Sequence, residues 1–138
     1  LGVLPQAMRT VVRALLAVRD HGSVDIHGRE PLSGDGIGEG SAVGRALLVD
    51  DAGEALARFE PGDVLVARGT TPAYNVVLAC AAGVVTEEGG QLSHAAVLAR
   101  ELGLPAVIGA PGAMRLVPDG ALVEVDAAAG RVRVLPGR

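Results

Sequence analysis

Apolar and polar residues alternate with two different periodicities along this chain, and the periodicity changes repeatedly after residue 43. Short apolar runs with the composition of strands are separated by segments in which apolar residues recur every three or four positions, as in helices. Strands that alternate with helices are typical of an α/β domain, here with a mixed, largely parallel sheet and helices packed on it. The pattern predicts strands at 43–49, 64–67, 84–86 and 106–108, helices at 52–58, 72–82 and 94–102, and a hairpin made of 121–125 and 131–135.

The first 44 residues differ from the rest. Residues 5–20 carry apolar side chains at helical spacing, with their arginines largely off that face. We interpret residues 1–22 as a helical connector or the tail of a preceding domain, and residues 23–138 as the main domain. Residues 28–44 are rich in glycine and polar residues, which predicts a loop. No register within this loop matches the G-x-G-x-x-G pattern of a dinucleotide-binding turn.

Composition restricts both the core and the chemistry. Hydrophobic residues make up 49% of the chain, yet it has one Tyr, one Phe and no Trp, so the core must consist of Ala, Val, Leu and Ile. A net charge of −4 argues against a nucleic-acid surface. Lysine is absent, which excludes a Walker A loop and a Schiff-base lysine. Cys80 is the only cysteine, so no internal disulfide or CxxC site exists, and we expect it to be a small buried residue.

Nothing in the sequence indicates export or membrane insertion. No apolar run reaches the roughly 18 residues that a membrane span requires, and no basic segment precedes an unbroken apolar stretch at the start. We therefore expect a cytoplasmic location, no membrane partner and no nucleic-acid partner.

The segment around His94 carries the clearest chemical signal. Gly89 and Gly90 free the backbone for a close approach to a ligand, and Ser93 is suited to cap a helix that begins at His94. A histidine near a helix start is often just a satisfied core residue. Here, however, the predicted apolar stripe places His94 about a quarter turn from its centre, at the rim beside the glycines. That stripe consists of Ala95, Leu98, Ala99 and Leu102.

The position of His94 suits a phosphoryl carrier. The positive end of a helix disfavours an imidazolium ion, which keeps the ring neutral and nucleophilic. The same potential, together with free N–H groups, stabilises the anion formed when the ring is phosphorylated. Hydrolysis by Ser93 with His94 is a poor alternative, because adjacent side chains on one helical turn diverge.

The run from Gly89 to Gly109 closely resembles the phosphohistidine signature of phosphoenolpyruvate synthase and pyruvate phosphate dikinase. Rifampin phosphotransferase and Enzyme I of the sugar phosphotransferase system are similar. The resemblance extends from about Gly36 to Leu135, and Thr70-Thr71-Pro72 resembles the family's Thr-x-Pro turn. It implies a swivelling β/β/α phosphohistidine domain in which His94 is the covalent intermediate.

The resemblance also implies roles for neighbouring residues and for partners. His94 would take a phosphoryl group from an ATP-grasp or phosphoenolpyruvate-binding domain and deliver it to an acceptor at a second site. The domain itself would bind no cofactor, and Mg with ATP or phosphoenolpyruvate would belong to the partner domains. Arg100 has two equally good interpretations, a phosphate contact or a salt bridge to a neighbour. The pocket would be shaped by Gly89, Gly90 and Ser93, with either Thr70 or Thr71 bonded to the histidine or its phosphate.

One departure and one alternative follow. Leu92 stands where the family commonly has Thr two positions before the histidine, so regulation through that Thr is not expected. The sequence shows neither an ATP-grasp nor a TIM-barrel segment, so the chain alone would not complete a catalytic cycle. The alternative is a non-catalytic regulatory or binding module that retains the swivelling fold. The sequence does not indicate the phosphoryl donor, the final acceptor or the oligomeric state.

Overall fold

A computed structural model describes residues 31–136, which form one mixed eight-stranded sheet with helices. The strands are β1 (Leu32–Ser33), β2 (Asp35–Ile37), β3 (Ser41–Leu48), β4 (Val64–Ala67), β5 (Gly83–Thr86), β6 (Ala106–Ile108), β7 (Leu122–Asp126) and β8 (Arg131–Val134). The helices are α1 (Ala52–Arg58), α2 (Asn75–Cys80), α3 (His94–Leu102) and α4 (Ala113–Leu116), and a 3₁₀ turn (Pro72–Tyr74) leads into α2. The predicted connector at 1–22 lies outside the described residues. No helix within 31–136 is long and apolar enough to cross a membrane.

The strands lie in the order β1-β8-β7-β3-β4-β5-β6-β2. Strands β3 to β6 form a continuous parallel block, and antiparallel pairings extend it on both flanks. Although β1 and β2 lie at opposite ends of this order, only Gly34 separates them along the chain. The sheet is therefore nearly closed. The predicted mixed α/β architecture is confirmed.

The central strands are apolar on both faces, as expected for parallel strands covered on two sides. Along β4, Val64 and Val66 join one core cluster, whereas Leu65 and Ala67 join the other. Helices α1, α2 and α3 cover the second cluster, and β7, β8 and α4 cover the first. Both clusters consist mainly of Ala, Val, Leu and Ile, as the composition predicts.

The glycine-rich segment is not the loop that its composition predicts, because it contains β1, β2 and the start of β3. The glycines serve close backbone contacts where the two ends of the sheet meet. The Gly34 N–H donates to the Gly130 carbonyl at 2.9 Å, and a Cβ on Gly36 would lie 1.9 Å from the Ala127 carbonyl oxygen. Because a side chain would clash there, these strand positions are occupied by glycine, and a glycine-rich composition predicts a loop from the sequence alone.

Two further expectations differ from the structure. The predicted helix at 72–82 divides into a 3₁₀ turn and α2, which ends at Cys80, and Gly83 belongs to β5 instead of stopping the helix. Cys80 is exposed, so its predicted buried role is wrong. Gly103, in contrast, ends α3 in the left-handed conformation, with φ 68°, as predicted.

Tyr74, in the 3₁₀ turn, provides a pH-dependent probe of this fold. It is 4% exposed, and burial, followed by the charges of Asp51, Asp50 and Glu54, raises its pKa above the ordinary value of 10.0. A raised folded-state pKa of a phenol gives stability that is complete below the unfolded pKa and is lost as pH rises through the folded one. We expect the free energy of unfolding to fall above about pH 10.

Since Tyr74 is the only tyrosine and tryptophan is absent, ultraviolet absorbance of the phenolate follows this one group. Tyr74→Phe should remove both the absorbance step and the associated loss of stability. A tyrosine that ionises at its ordinary pKa without any effect on unfolding would contradict the expectation.

Candidate functional site

The site lies where the carboxyl ends of the parallel strands β4, β5 and β6 meet, the edge at which open α/β sheets bind ligands. The turn after β5 is fastened to the end of β4 by two backbone hydrogen bonds. The Glu87 N–H donates to the Ala67 carbonyl at 3.1 Å, and the Glu88 N–H donates to the Arg68 carbonyl at 2.9 Å. The backbone that leads to the glycines is thus fixed relative to two strands.

The buried hydroxyl of Thr86 also stabilises this turn through hydrogen bonds. Thr86, at the end of β5, is 0% exposed. Its Oγ1 donates to the Glu88 carbonyl at 2.8 Å and accepts a hydrogen bond from the Gly109 N–H at 3.3 Å. Since Gly109 follows β6, one side chain connects the ends of two strands. Burial of a polar group is tolerated here because both its donor and its acceptor functions are used.

Two glycines from different loops meet at this turn. Gly89 has φ 104° and Gly109 has φ 74°, values that side chains of L-residues rarely allow. A Cβ on Gly109 would also lie 2.6 Å from the Gly89 carbonyl oxygen. Gly90 has no such backbone constraint, and a Cβ there would make only ordinary contact with Asp35. The two adjacent glycines therefore differ, and only Gly89 is required by its conformation.

Ser93 caps α3 as predicted. Its Oγ donates to the Gly90 carbonyl at 2.8 Å and accepts from the Ala96 N–H at 3.3 Å, which closes the glycine turn onto the helix. His94 is the first residue of α3 and is half-buried. This is the rim position that the sequence predicts. The buried face of α3 is made of Ala95, Ala96 and Ala99, whereas Leu102, which we placed on that face, is exposed.

The His94 ring is paired with a residue that the sequence analysis did not select. His94 Nε2 lies 3.1 Å from Oδ1 of Asn75, the first residue of α2. Because β4 and β5 are parallel neighbours, the helices that follow them begin at the same edge of the sheet. A polar side chain in the first turn after Pro72 was therefore an available signal for the partner of His94.

The other predicted pocket residues, Thr70, Thr71 and Arg100, differ in burial and in hydrogen bonding. The Thr70 Oγ1 is buried and has no hydrogen-bond partner among the described residues, and Thr71 is exposed. In the described part of the chain the hydrogen-bond partner of the ring is Asn75. Arg100 donates from Nη1 to the Gln91 carbonyl at 2.7 Å, which fastens the segment between the glycines and the helix.

Two large apolar side chains are exposed next to the histidine pair. Leu92, two residues before His94, is 91% exposed, and Val76, which follows Asn75, is 68% exposed. Neither contributes to the core of the described domain. Each member of the histidine pair thus has a nearby residue in sequence whose exposed apolar side chain is free to contact another surface.

The fold and the site together define a domain that presents a histidine at the positive end of a helix, beside a glycine turn. Comparison with known proteins gives the family. The family model described as "PEP-utilising enzyme, mobile domain" matches residues 59–130, just over half of the chain. The chain belongs to this family of phosphotransferases, in which PEP denotes phosphoenolpyruvate.

Individual relatives agree with this assignment. The chain is 44% identical over 93 residues to a phosphoenolpyruvate synthase of Aeropyrum pernix, covering 67% of this chain and 11% of that protein. It is 42% identical over 104 residues to a rifampicin phosphotransferase of a Streptomyces species, covering 75% of this chain and 12% of the relative. A solution structure of an Enzyme I protein matches with a TM-score of 0.52 and 36% identity, over 60% of this chain and 34% of that one. The chain thus spans about one-eighth of the length of these two curated relatives, which contain other regions besides this domain.

Proposed function

We propose that this chain is the phosphoryl-carrier domain of a phosphotransferase of the PEP-utilising type. In this proposal a ring nitrogen of His94 attacks the phosphorus of ATP or phosphoenolpyruvate bound on a partner domain. A nitrogen–phosphorus bond forms as the bond from phosphorus to the leaving oxygen breaks. The domain then moves to a second site, where an acceptor oxygen takes the phosphoryl group and the ring is regenerated.

The observation that carries this proposal is the position of His94, half-exposed at the N-terminus of α3 beside the turn formed at Gly89. A helix N-terminus stabilises the phosphoryl anion, and the left-handed glycine lets backbone approach it closely. Gly90 and Ser93 hold this turn against the helix. The phosphorylated form of the ring is therefore favoured at this position.

We assign supporting roles to three further residues. The Thr70 hydroxyl has no hydrogen-bond partner within residues 31–136, and we assign it a hydrogen bond to a phosphoryl oxygen on the phosphorylated ring, with Thr71 as the second candidate for this contact. Arg100 donates from Nη1 to the Gln91 carbonyl, so we assign it the role of positioning the turn. Exposed Leu92 and Val76 provide the apolar contact for the domains that deliver and receive phosphate.

We propose that the nucleotide or phosphoenolpyruvate and its Mg bind to partner domains. Within residues 31–136 no three or more His, Cys, Asp and Glu side chains are grouped to hold a metal ion. In this proposal the chain performs the covalent relay and depends on other domains, in the same chain or complex, for donor and acceptor binding.

The direct test is to incubate the chain with its partner domains and ATP or phosphoenolpyruvate. An acid-labile, alkali-stable phosphoprotein should form, and tandem mass spectrometry under neutral conditions should place the phosphoryl group on His94. Phosphate on a serine or threonine, or failure to label with active partner domains, would instead favour a non-catalytic module.

A further inference from the structure

Asn75 is the hydrogen-bond partner of Nε2 in the His94 ring. Its Oδ1 lies 3.1 Å from His94 Nε2, and an amide oxygen can only accept a hydrogen bond. In this arrangement Nε2 carries a proton, and in the neutral form of the ring the lone pair lies on Nδ1. The Nε2 atom is not nucleophilic while it donates to Asn75.

A carboxamide can serve this nitrogen in two states. It carries an acceptor oxygen and, on the same carbon, an NH₂ group with two donors. Rotation about the Cβ–Cγ bond exchanges their positions without any change in the backbone. Asn75 is exposed at the start of α2, so the side chain has space both to rotate and to move aside for an incoming phosphoryl group.

We propose that Asn75 is a positioning residue with two settings: it accepts from Nε2–H in the resting ring and donates to the phosphoryl group after transfer to Nε2. The inference rests on the proposed carrier function of His94. Before transfer, the Nε2 proton passes to solvent and Nδ1 takes up a proton, so the ring stays neutral. The Nε2 lone pair then forms the bond to phosphorus, and the electron pair of the broken phosphorus–oxygen bond leaves with the donor.

The Asn75→Asp variant separates the two settings. An aspartate has the same shape and can accept from Nε2–H, but it has no donor and adds a negative charge next to the phosphoryl group. Since Asp is favourable in the first turn of a helix, the variant should fold. Asn75→Ala removes both functions. Ala79→Asp is the matched control, because Ala79 is exposed one turn further along α2 and receives the same charge away from the ring.

The experiment uses the 138-residue chain and the small phosphorylating agent phosphoramidate, followed by phosphorus NMR of the phosphohistidine and nitrogen NMR of the unmodified ring. We expect the wild-type ring to be protonated at Nε2. Asn75→Asp should keep this tautomer yet be phosphorylated roughly tenfold more slowly, the effect of losing one charge-assisted hydrogen bond. Asn75→Ala should lose the tautomer preference and shorten the phosphohistidine lifetime roughly tenfold, whereas Ala79→Asp should match the wild type.

A wild-type ring with its proton on Nδ1, or an Asn75→Asp variant that reacts like the wild type, would overturn the two-setting role. These measurements need no partner domain. Failure of the partner domains to label His94 would therefore remove the carrier function, while the role of Asn75 towards Nε2 would be decided separately.

Discussion

Replacement of His94 by alanine is expected to reduce phosphoryl labelling by the partner domains to background, with the fold intact. No other side chain at the carboxyl edge of β5 offers an imidazole nitrogen, since His94 is the only histidine in residues 31–136. The ring is half-buried and its hydrogen bond is to exposed Asn75. We therefore expect the free energy of unfolding to change by less than about 1 kcal/mol.

The measurement pairs acid-stable and acid-labile phosphate counts with denaturant unfolding of the same samples. Ser93→Ala is the contrasting variant, because it keeps the ring but removes the cap of α3. It should lose about 1 kcal/mol of stability and still be labelled on His94. Label retained at the wild-type level in His94→Ala would show that the phosphoryl group resides elsewhere.

Among the substitutions considered for this domain, replacement of Gly36 by alanine is expected to lower the free energy of unfolding most. The new Cβ would lie 1.9 Å from the Ala127 carbonyl oxygen and 3.2 Å from the Cα of Gly130. Both neighbours are backbone, so neither can rotate away, and β2 must separate from the β7–β8 hairpin. Overpacking typically costs about 1–3 kcal/mol, and a clash with backbone lies at the upper end of this range, so the midpoint of thermal unfolding should fall by roughly 10 °C.

Gly69→Ala is the matched control for this prediction. Gly69 has nothing within 4 Å of an added Cβ and no left-handed backbone, so its stability should stay within about 0.5 kcal/mol of the wild type. Thermal unfolding of both variants followed by circular dichroism is sufficient. Equal midpoints for Gly36→Ala and Gly69→Ala would be inconsistent with a tightly closed sheet.

The sequence predicted those parts of the fold in which periodicity reflects burial. Strand β4 is buried on both faces and flanked by helices, so its short apolar run at 64–67 was assigned correctly. Helix α3 was also bounded correctly, because Ser93 and Gly103 mark its two ends. In both cases the local signal and the tertiary environment favour the same structure.

The remaining features depend on contacts between distant segments. Strands β1 and β2 have two and three residues, too few to establish a period, and their glycines are selected by close backbone packing. The exposure of Cys80 depends on which face of α2 packs against the sheet. Asn75 can pair with His94 only because the 3₁₀ turn places the start of α2 close to the start of α3. Its pairing with His94, 19 positions along the chain, can be inferred only when the parallel order of β4 and β5 is considered together with the polar residue after Pro72.

The single residue between β1 and β2 also has a consequence for aggregation. A free sheet margin offers unpaired N–H and C=O groups onto which a stray strand can add, which is a common route to aggregation. In the described domain the outermost strands are continuous through Gly34, and the Gly34 N–H is already bonded to Gly130. Because the sheet is nearly closed in this way, its margins offer little unpaired backbone to which a stray strand could add.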